Sequence, residues 1–331
     1  MNKIELPGTD VSITPIAFGT WAIGGWLWGG SEEKKSIRAI ESAIDLGMTT
    51  IDAAPVYGFG QSESFTGKAI RGKRSHVQIL TKFGLRWDIR SNHLHNEKTI
   101  DNEGIERTIY RVGRKESIIK ECEDSLRRLG TDYIDLYQQH WPDQSTPLEE
   151  TMEALDRLKQ QGKIKAGGAS NYSVDEMAEA TKYFNLVSDQ VPYSMVLRDI
   201  EKDLVPWCIE NNKAIIAYSP MQRGILTGKI TSETHFREGD HRPSMPFYQE
   251  PNLGKINRFL DEIKPIAEEK NSTLAQLALK WTLKQPGIFC VLAGARNEKQ
   301  AAENVRAADI DLTAGEIKII NTGLNKLDLK L

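Results

Sequence analysis

One rhythm constrains this chain more than any other feature: short apolar runs alternate with longer amphipathic segments almost from end to end. The runs are PIAFGT, TTIDAA, VQILTK, YIDLYQQH, IKAGGAS, LVSDQV, AIIAYSP and FCVLAG. Between them lie segments such as SEEKKSIRAIESAIDLG and KESIIKECEDSLRRLG, with apolar residues at three- and four-residue spacing (Ile118, Ile119, Cys122, Leu126, Leu129). That spacing predicts helices, opened at Ser31 and Ser173 and closed at Gly47, Gly130 and Gly162. The runs are continuously apolar, as parallel strands covered on both faces are. Eight such strands, each followed by a helix, predict an α/β fold, the closed (β/α)8 or TIM barrel, usually of ~250 residues. The surplus in this 331-residue chain is an N-terminal β-hairpin, KIELPGTDVSI, and two long polar loops, 86–113 after the third strand and 231–254 after the seventh. No linker divides the chain, so residues 1–331 read as a single domain.

An open doubly wound sheet would need G-x-G-x-x-G after its first strand. FGTWAIGGWLWGGSEE lacks that spacing, and GFGQSE has Glu63 where the third glycine belongs. Lys and Arg number 43 against 46 Asp and Glu, a net charge of −3. That balance argues against a nucleic-acid surface, which would be strongly basic. The opening MNKIELPGTD shows no apolar signal-peptide core, and no run is long and apolar enough to span a bilayer. The three cysteines (Cys122, Cys208, Cys290) are widely separated and suit a reducing cytoplasm, which is the expected location. His93-x-His95 lies in a polar loop without zinc spacing, so no metal is expected.

In a barrel the active site sits at the C-terminal ends of the strands. Read in order, those ends carry Gly19-Thr20-Trp21, Asp52 with Tyr57 beyond, Lys82, His140, Ser170-Asn171, Gln190, Tyr218-Ser219-Pro220 and Gly294-Ala295-Arg296. Alone, Asp52 reads as a helix cap, Lys82 as a surface lysine, His140 as a core histidine and Tyr57 as a loop aromatic. Together they converge on one rim. A phenol titrates near ~10, and an ammonium within hydrogen-bond reach would lower that value. On this reading Asp52 holds Lys82, Lys82 tunes Tyr57, and His140 orients a carbonyl oxygen toward the phenol. The outcome is a general acid aimed at C=O, which calls for a hydride from a nicotinamide.

The motifs IDAAPVYGFGQSE, LTKFG, SLRRLGTDYIDLYQQHWPD, GGASNYS, AYSPMQRGILTGK and LAGARNEKQAAEN resemble those of the aldo-keto reductase superfamily over nearly the whole chain. The likeness is greatest to its bacterial sugar and aldehyde reductase branch, related to the potassium-channel β-subunits. The resemblance implies reversible reduction of small carbonyl substrates with NADP(H), without metal or flavin. It matches Asp52, Tyr57, Lys82 and His140 to the catalytic tetrad. It assigns Ser170, Asn171 and Gln190 to the nicotinamide amide, and Tyr218 to stacking on the ring. Ser219, Pro220, Met221, Gly224 and Lys229 then wrap the pyrophosphate. Gly294, Ala295, Arg296, Gln300, Glu303 and Asn304 take the adenosine end, and Gly19, Thr20, Trp21 and Asp52 complete the cofactor path.

Gln300 stands where many members carry Arg, so NAD(H) remains an alternative cofactor. Trp21, Trp28, Trp87 and Trp141, with Tyr57 and His140, form the expected substrate wall, and Trp26 belongs to the same aromatic cluster. These tryptophans equally suit barrel-top packing. The 86–113 loop carries no recognisable motif, RRLGTD reads as a helix end, and self-association is left open. Two rivals stay in view. One is an NADPH-binding sensor of channel-β-subunit type with little turnover. The other is a lyase with Lys82 as Schiff base, which a neighbouring carboxylate disfavours by keeping the amine protonated.

Overall fold

The computed structural model describes residues 1–89 and 96–331. The chain starts with a hairpin, β1 (Ile4–Glu5) antiparallel to β2 (Ser12–Ile13). Three barrel strands follow, β3 (Ile16–Gly19), β4 (Thr50–Asp52) and β5 (Gln78–Phe83). An antiparallel sheet of β6 (Leu85–Arg86), β7 (Asn96–Ile100) and β8 (Glu106–Arg111) then interrupts. The barrel resumes with β9 (Ile134–Gln139), β10 (Ile164–Ser170), β11 (Ser188–Pro192), β12 (Ala214–Tyr218) and β13 (Ile288–Gly294). Its eight strands close in sequence order, with β13 parallel to β3. The barrel predicted from the continuous apolar runs is therefore the fold.

Its register aligns the strand ends. Gly294 pairs with Gly19, Gly19 with Asp52, Ser170 with Gln190 and Pro192 with Tyr218. Residues far apart in sequence thus reach one rim. Inside the barrel, Ala17, Leu80, Leu136, Ala166, Ile216 and Leu292 form a core that also includes Leu6, Val11 and Ile13 of the hairpin. The hairpin is thus a plug at the end opposite the rim. A larger apolar layer lies between the strands and the surrounding helices.

Those helices are α1 (Trp21–Gly24), α2 (Glu33–Asp45), α3 (Gln61–Ala69), α4 (Lys115–Leu129), α5 (Leu148–Gln160), α6 (Val174–Thr181) and α7 (Leu204–Glu210). Then come α8 (Asn252–Glu269), α9 (Leu274–Leu283), α10 (Glu298–Arg306) and α11 (Ala314–Leu324). Ser173 caps α6 in a full capping box, and Gly130 ends α4 in the left-handed region, both as expected. Ser31 does not cap α2. Glu32 holds that position without a side-chain bond, because Ser31 belongs to the loop packed against Gly25.

Apart from the one-turn α1, two helices escaped the sequence reading. The longest, α8, starts inside the supposed 231–254 loop. Its opening is masked by Pro251 and the absence of a side-chain cap, yet Leu253, Ile256, Leu260 and Ile263 bury one face. The other, α11, begins with a Thr313–Glu316 capping box.

The described part of the 86–113 loop carries the antiparallel sheet. Its root is fastened by Glu121, which accepts from Gly84 N at 2.8 Å and from Ser117 Oγ at 2.9 Å. Burial pushes the Glu121 carboxyl up to about 7. The sheet leans back over the rim, where the Trp26 indole donates to Thr99 at 2.8 Å and Asn102 donates to Gly24 O at 2.7 Å. His93 and His95 lie outside the described residues.

Candidate active site

A cavity of about 830 Å³ opens at the rim where the strand ends meet, within the ~300–1,000 Å³ usual for small-molecule sites. At its floor, Lys82 Nζ donates to Asp52 Oδ2 at 2.6 Å and to Ala53 O at 3.1 Å. Gln190 Nε2 donates to Asp52 Oδ1 at 2.8 Å. The Asp52 backbone carbonyl accepts from Thr20 Oγ1 at 2.9 Å. Lys82 is wholly buried, and that burial lowers its pKa while the Asp52 charge opposes the shift.

Tyr57 stands above this pair. Its ring lies 5.0 Å from Lys82 Nζ, is stacked on Trp21 at 6.1 Å, and meets His140 edge-on at 5.6 Å. The four side chains singled out in the sequence are therefore neighbours. One expectation is corrected. The hydrogen bonds of the Lys82 ammonium run to Asp52 and Ala53, and the group lies over the Tyr57 ring instead of bonding its hydroxyl. The phenol is not lowered. Burial, followed by the Asp52 charge, holds it well above its ordinary value, and the cation that opposes them is Arg223. Burial also pushes His140 well below its ordinary value, helped by Lys82 and Arg111, so its imidazole is neutral. Arg111 comes from β8 and lies 4.7 Å over the Trp141 ring, which gives the 86–113 insertion a place in the cavity wall.

Beside Tyr57, Asn171 donates to Ser170 Oγ and to His140 O, both at 3.0 Å, and accepts from the Tyr218 hydroxyl at 2.9 Å. Ser170 Oγ donates to Gln190 O at 2.7 Å. Asn171, Ser219, Gln222 and Arg223 all hold left-handed φ values, between 44° and 62°. Such strain in non-glycine residues gathers where function over-determines the backbone. A close approach of two glycines fixes the Tyr57 turn. A Cβ on Gly24 would stand 2.8 Å from the Tyr57 carbonyl carbon, and one on Gly58 (φ 66°) would stand 2.1 Å from Gly24 O.

The far end of the cavity is lined by Lys229, Gly294, Arg296, Gln300, Glu303 and Asn304. Asn297 caps α10 by accepting from Gln300 N at 2.9 Å, and Asn304 donates to Gly294 O at 3.0 Å. Arg296 donates to Trp28 O at 3.2 Å and Gly30 O at 2.7 Å. Lys229 lies 3.8 Å from Glu303. Gly19, Thr20, Trp21, Ser219, Met221 and Gly224 line the stretch between the two ends. The Tyr218 ring in the cavity wall, the amide-binding groups around Asn171 and the cations at the far end fit an extended nicotinamide dinucleotide.

Four expected residues stand apart from the lining, the wholly buried Lys82 lying beneath it. Pro220 and Ala295 are buried behind it, and Trp87 packs edge-on against Phe59 at 5.5 Å, as part of the rim's apolar cluster. Trp21, Trp28 and Trp141 do line the cavity, as does Trp26.

The sequence reading passed over Arg223, although it lies within AYSPMQRGILTGK, and over Glu63 as more than a broken glycine motif. Glu63 is buried and accepts from Thr81 Oγ1 and Arg128 Nε, each at 2.6 Å, joining α3, β5 and α4. The Arg of RRLGTD thus ends a helix, as expected, and also neutralises a core carboxylate.

Comparison with known proteins agrees with this geometry. The profile described as Aldo/keto reductase family matches residues 15–324. A protein named Aldo-keto reductase YhdN, from Bacillus subtilis (strain 168), is 38% identical over 325 residues, covering 97% of this chain and 93% of that protein. The NADH-specific methylglyoxal reductase of Escherichia coli (strain K12) is 36% identical, with 97% of each chain covered. The structure of the glycerol dehydrogenase AKR11B4 from Gluconobacter oxydans superposes with a TM-score of 0.87 at 37% identity, covering 98% of this chain and 95% of that one.

Proposed function

The chain belongs to the aldo/keto reductase family, and from that premise we propose that it is an NADP(H)-dependent reductase of small aldehydes, ketones or sugar carbonyls, built as one domain over residues 1–331. The observation that carries this reading is Tyr57 set between Trp21 and His140, directly above the Lys82–Asp52 pair. When bound, the nicotinamide supplies hydride to the carbonyl carbon. Tyr57 donates its proton to the carbonyl oxygen, and its raised pKa keeps that proton in place until the oxygen gains charge. The neutral His140 offers a hydrogen bond that orients the same oxygen. Lys82, fixed by Asp52 and 5.0 Å from the centre of the Tyr57 ring, stabilises the phenolate left behind. Its complete burial and its ion pair speak against a Schiff-base role.

Tyr218 gives the nicotinamide a stacking face, braced by Asn171. Ser170, Asn171 and Gln190 orient its amide. Ser219, Met221, Gly224 and Lys229 follow the pyrophosphate, with Pro220 packed behind them. Gly294, Arg296, Gln300, Glu303 and Asn304 hold the adenosine end, with Ala295 behind. The bonds of Arg296 run to carbonyls, so its charge is available to a 2′-phosphate. This favours NADP(H), with NAD(H) as the weaker alternative. Three buried free thiols suit a cytoplasmic setting.

The test is multiple-turnover oxidation of NADPH and of NADH against a panel of aldehydes, ketones and aldoses. Tyr57→Phe should lower kcat by roughly 10²- to 10⁴-fold while the NADPH dissociation constant stays within a factor of about two of wild type. Tight NADPH binding with no turnover on any carbonyl would favour the sensor reading, and tighter NADH binding would overturn the cofactor preference.

A further inference from the structure

Arg223 is the odd charge in the cavity. Its guanidinium lies 5.0 Å over the face of Trp21, the ring that stacks on Tyr57. Among the described residues no carboxylate forms an ion pair with it. The groups that face it electrostatically are the phenols of Tyr218, Tyr248 and Tyr57, and its Nη1 donates to Met245 Sδ at 2.9 Å. Its backbone is clamped: the Tyr248 hydroxyl donates to Arg223 O at 2.9 Å, and Arg242 donates to the same oxygen at 3.3 Å. A cation held rigidly in a part-buried site without a counter-charge is costly, and an incoming anion relieves that cost.

It is not alone. Among the described residues, Arg223 Nε, Trp21 Nε1, Trp28 Nε1 and His241 Nε2 are buried without a hydrogen-bond partner. They sit together: the His241 ring is 5.3 Å from Trp21 and 5.5 Å from Trp28, and the two indoles are 5.6 Å apart. His241 bonds Leu27 O through Nδ1, which must therefore carry the hydrogen, leaving Nε2 as an acceptor. Buried polar atoms are nearly always paired, so a cluster of unpaired ones marks a place where a ligand's polar atoms belong. Three N–H donors, one of them cationic, beside a single acceptor match an anionic oxygen group, and the cluster adjoins the proposed proton donor.

We propose that Arg223, with the indole N–H groups of Trp21 and Trp28, is a recognition site for a carboxylate on the substrate, so that the preferred substrates are short oxo acids. This rests on the reductase reading above and adds the substrate class to it. The same guanidinium chemistry would also suit a phosphate of the cofactor, and the experiment separates the two sources.

Three measurements are made on wild type, Arg223→Met and Arg223→Lys. They are kcat/KM for 4-oxobutanoate and for butanal, the dissociation constant of NADPH, and the binding of unreactive butanoate against butanamide, followed by tryptophan fluorescence. Wild type should favour the oxo acid roughly 10- to 100-fold, the range of a charged hydrogen bond. The ratio of the two kcat/KM values should collapse toward one in Arg223→Met and be partly kept in Arg223→Lys. Butanoate should quench the wild type and not Arg223→Met. The ratio is immune to any common loss of activity, and if Arg223→Met does not fold, the wild-type ratio and Arg223→Lys decide. No wild-type preference, or a preference unchanged in the variants while NADPH affinity falls tenfold or more, overturns the proposal and assigns the cation to the cofactor. Butanoate binding in a protein that reduces neither aldehyde would keep the carboxylate site and overturn the reductase reading instead.

Discussion

At the scale of single residues, position matters more than identity. Tyr57 is held by contacts that a sequence does not display: the backbone of its turn touches α1 where Gly24 and Gly58 lack side chains. Gly24→Ala would place a methyl 2.8 Å from the Tyr57 carbonyl. It should cost about 1–3 kcal/mol of stability, the usual scale of overpacking, and lower kcat by shifting the phenol, with little change in cofactor affinity. Denaturant titration and steady-state kinetics check both parts; a variant of full stability and full kcat would show that the contact yields freely. The strand-end residues were legible because each follows an apolar run, and a barrel brings such ends together. The partners of Lys82 were half legible. Asp52 could be inferred from its strand, whereas the placement of the ammonium over the ring depends on side-chain direction, which spacing does not encode. Arg223 was illegible because a lone Arg in a loop is usually solvated, and only the fold shows that this one faces phenols and indoles.

At the scale of elements, one buried carboxylate ties three of them together. Glu63 on α3 is satisfied by Thr81 on β5 and by Arg128 near the end of α4. Removing Arg128 leaves a charge stranded in the core, so Arg128→Met should destabilise by roughly 3 kcal/mol. Glu63→Gln with Arg128→Met should cost less than the sum of the single changes, because the stranded charge is gone. Additive losses in chemical denaturation would mean that the pair is not coupled. The elements themselves were legible where pattern and cap agree, as in α4 and α6. They were obscure where those signals conflict. α8 opens on a proline and carries Pro265 within it, so its first residues fall in the polar loop 231–254 and its helical stripe lacks a start signal. The sheet of β6, β7 and β8 was hidden for another reason: its strands are short and mostly polar, and they gain their order from Trp26, Gly24 and Glu121 elsewhere in the fold.

At the scale of the whole molecule, stability should depend on pH through a group that plays no part in the proposed chemistry. Asp189 on β11 is fully buried, and neither carboxyl oxygen has a well-aligned hydrogen bond. Burial pushes it up to about 8, and the backbone N–H groups of Tyr172, Gln190 and Asn171 only partly oppose the shift. The folded protein thus keeps a proton that the unfolded chain releases near ~4. Stability therefore falls as pH rises between those values. Asp189→Asn should remove that slope, so the melting-temperature difference between variant and wild type should grow from pH 5 to pH 8. Parallel melting curves across that range would refute the assignment. The hairpin plug has a consequence of its own. With Leu6, Val11 and Ile13 stoppering the lower end, the barrel is a cul-de-sac, and among the described residues the approach to Asp52 and Lys82 is from the rim. On the proposed mechanism, once a dinucleotide and an alcohol fill that approach, the proton that recharges Tyr57 must wait its turn, so proton uptake and alcohol departure should keep the same clock.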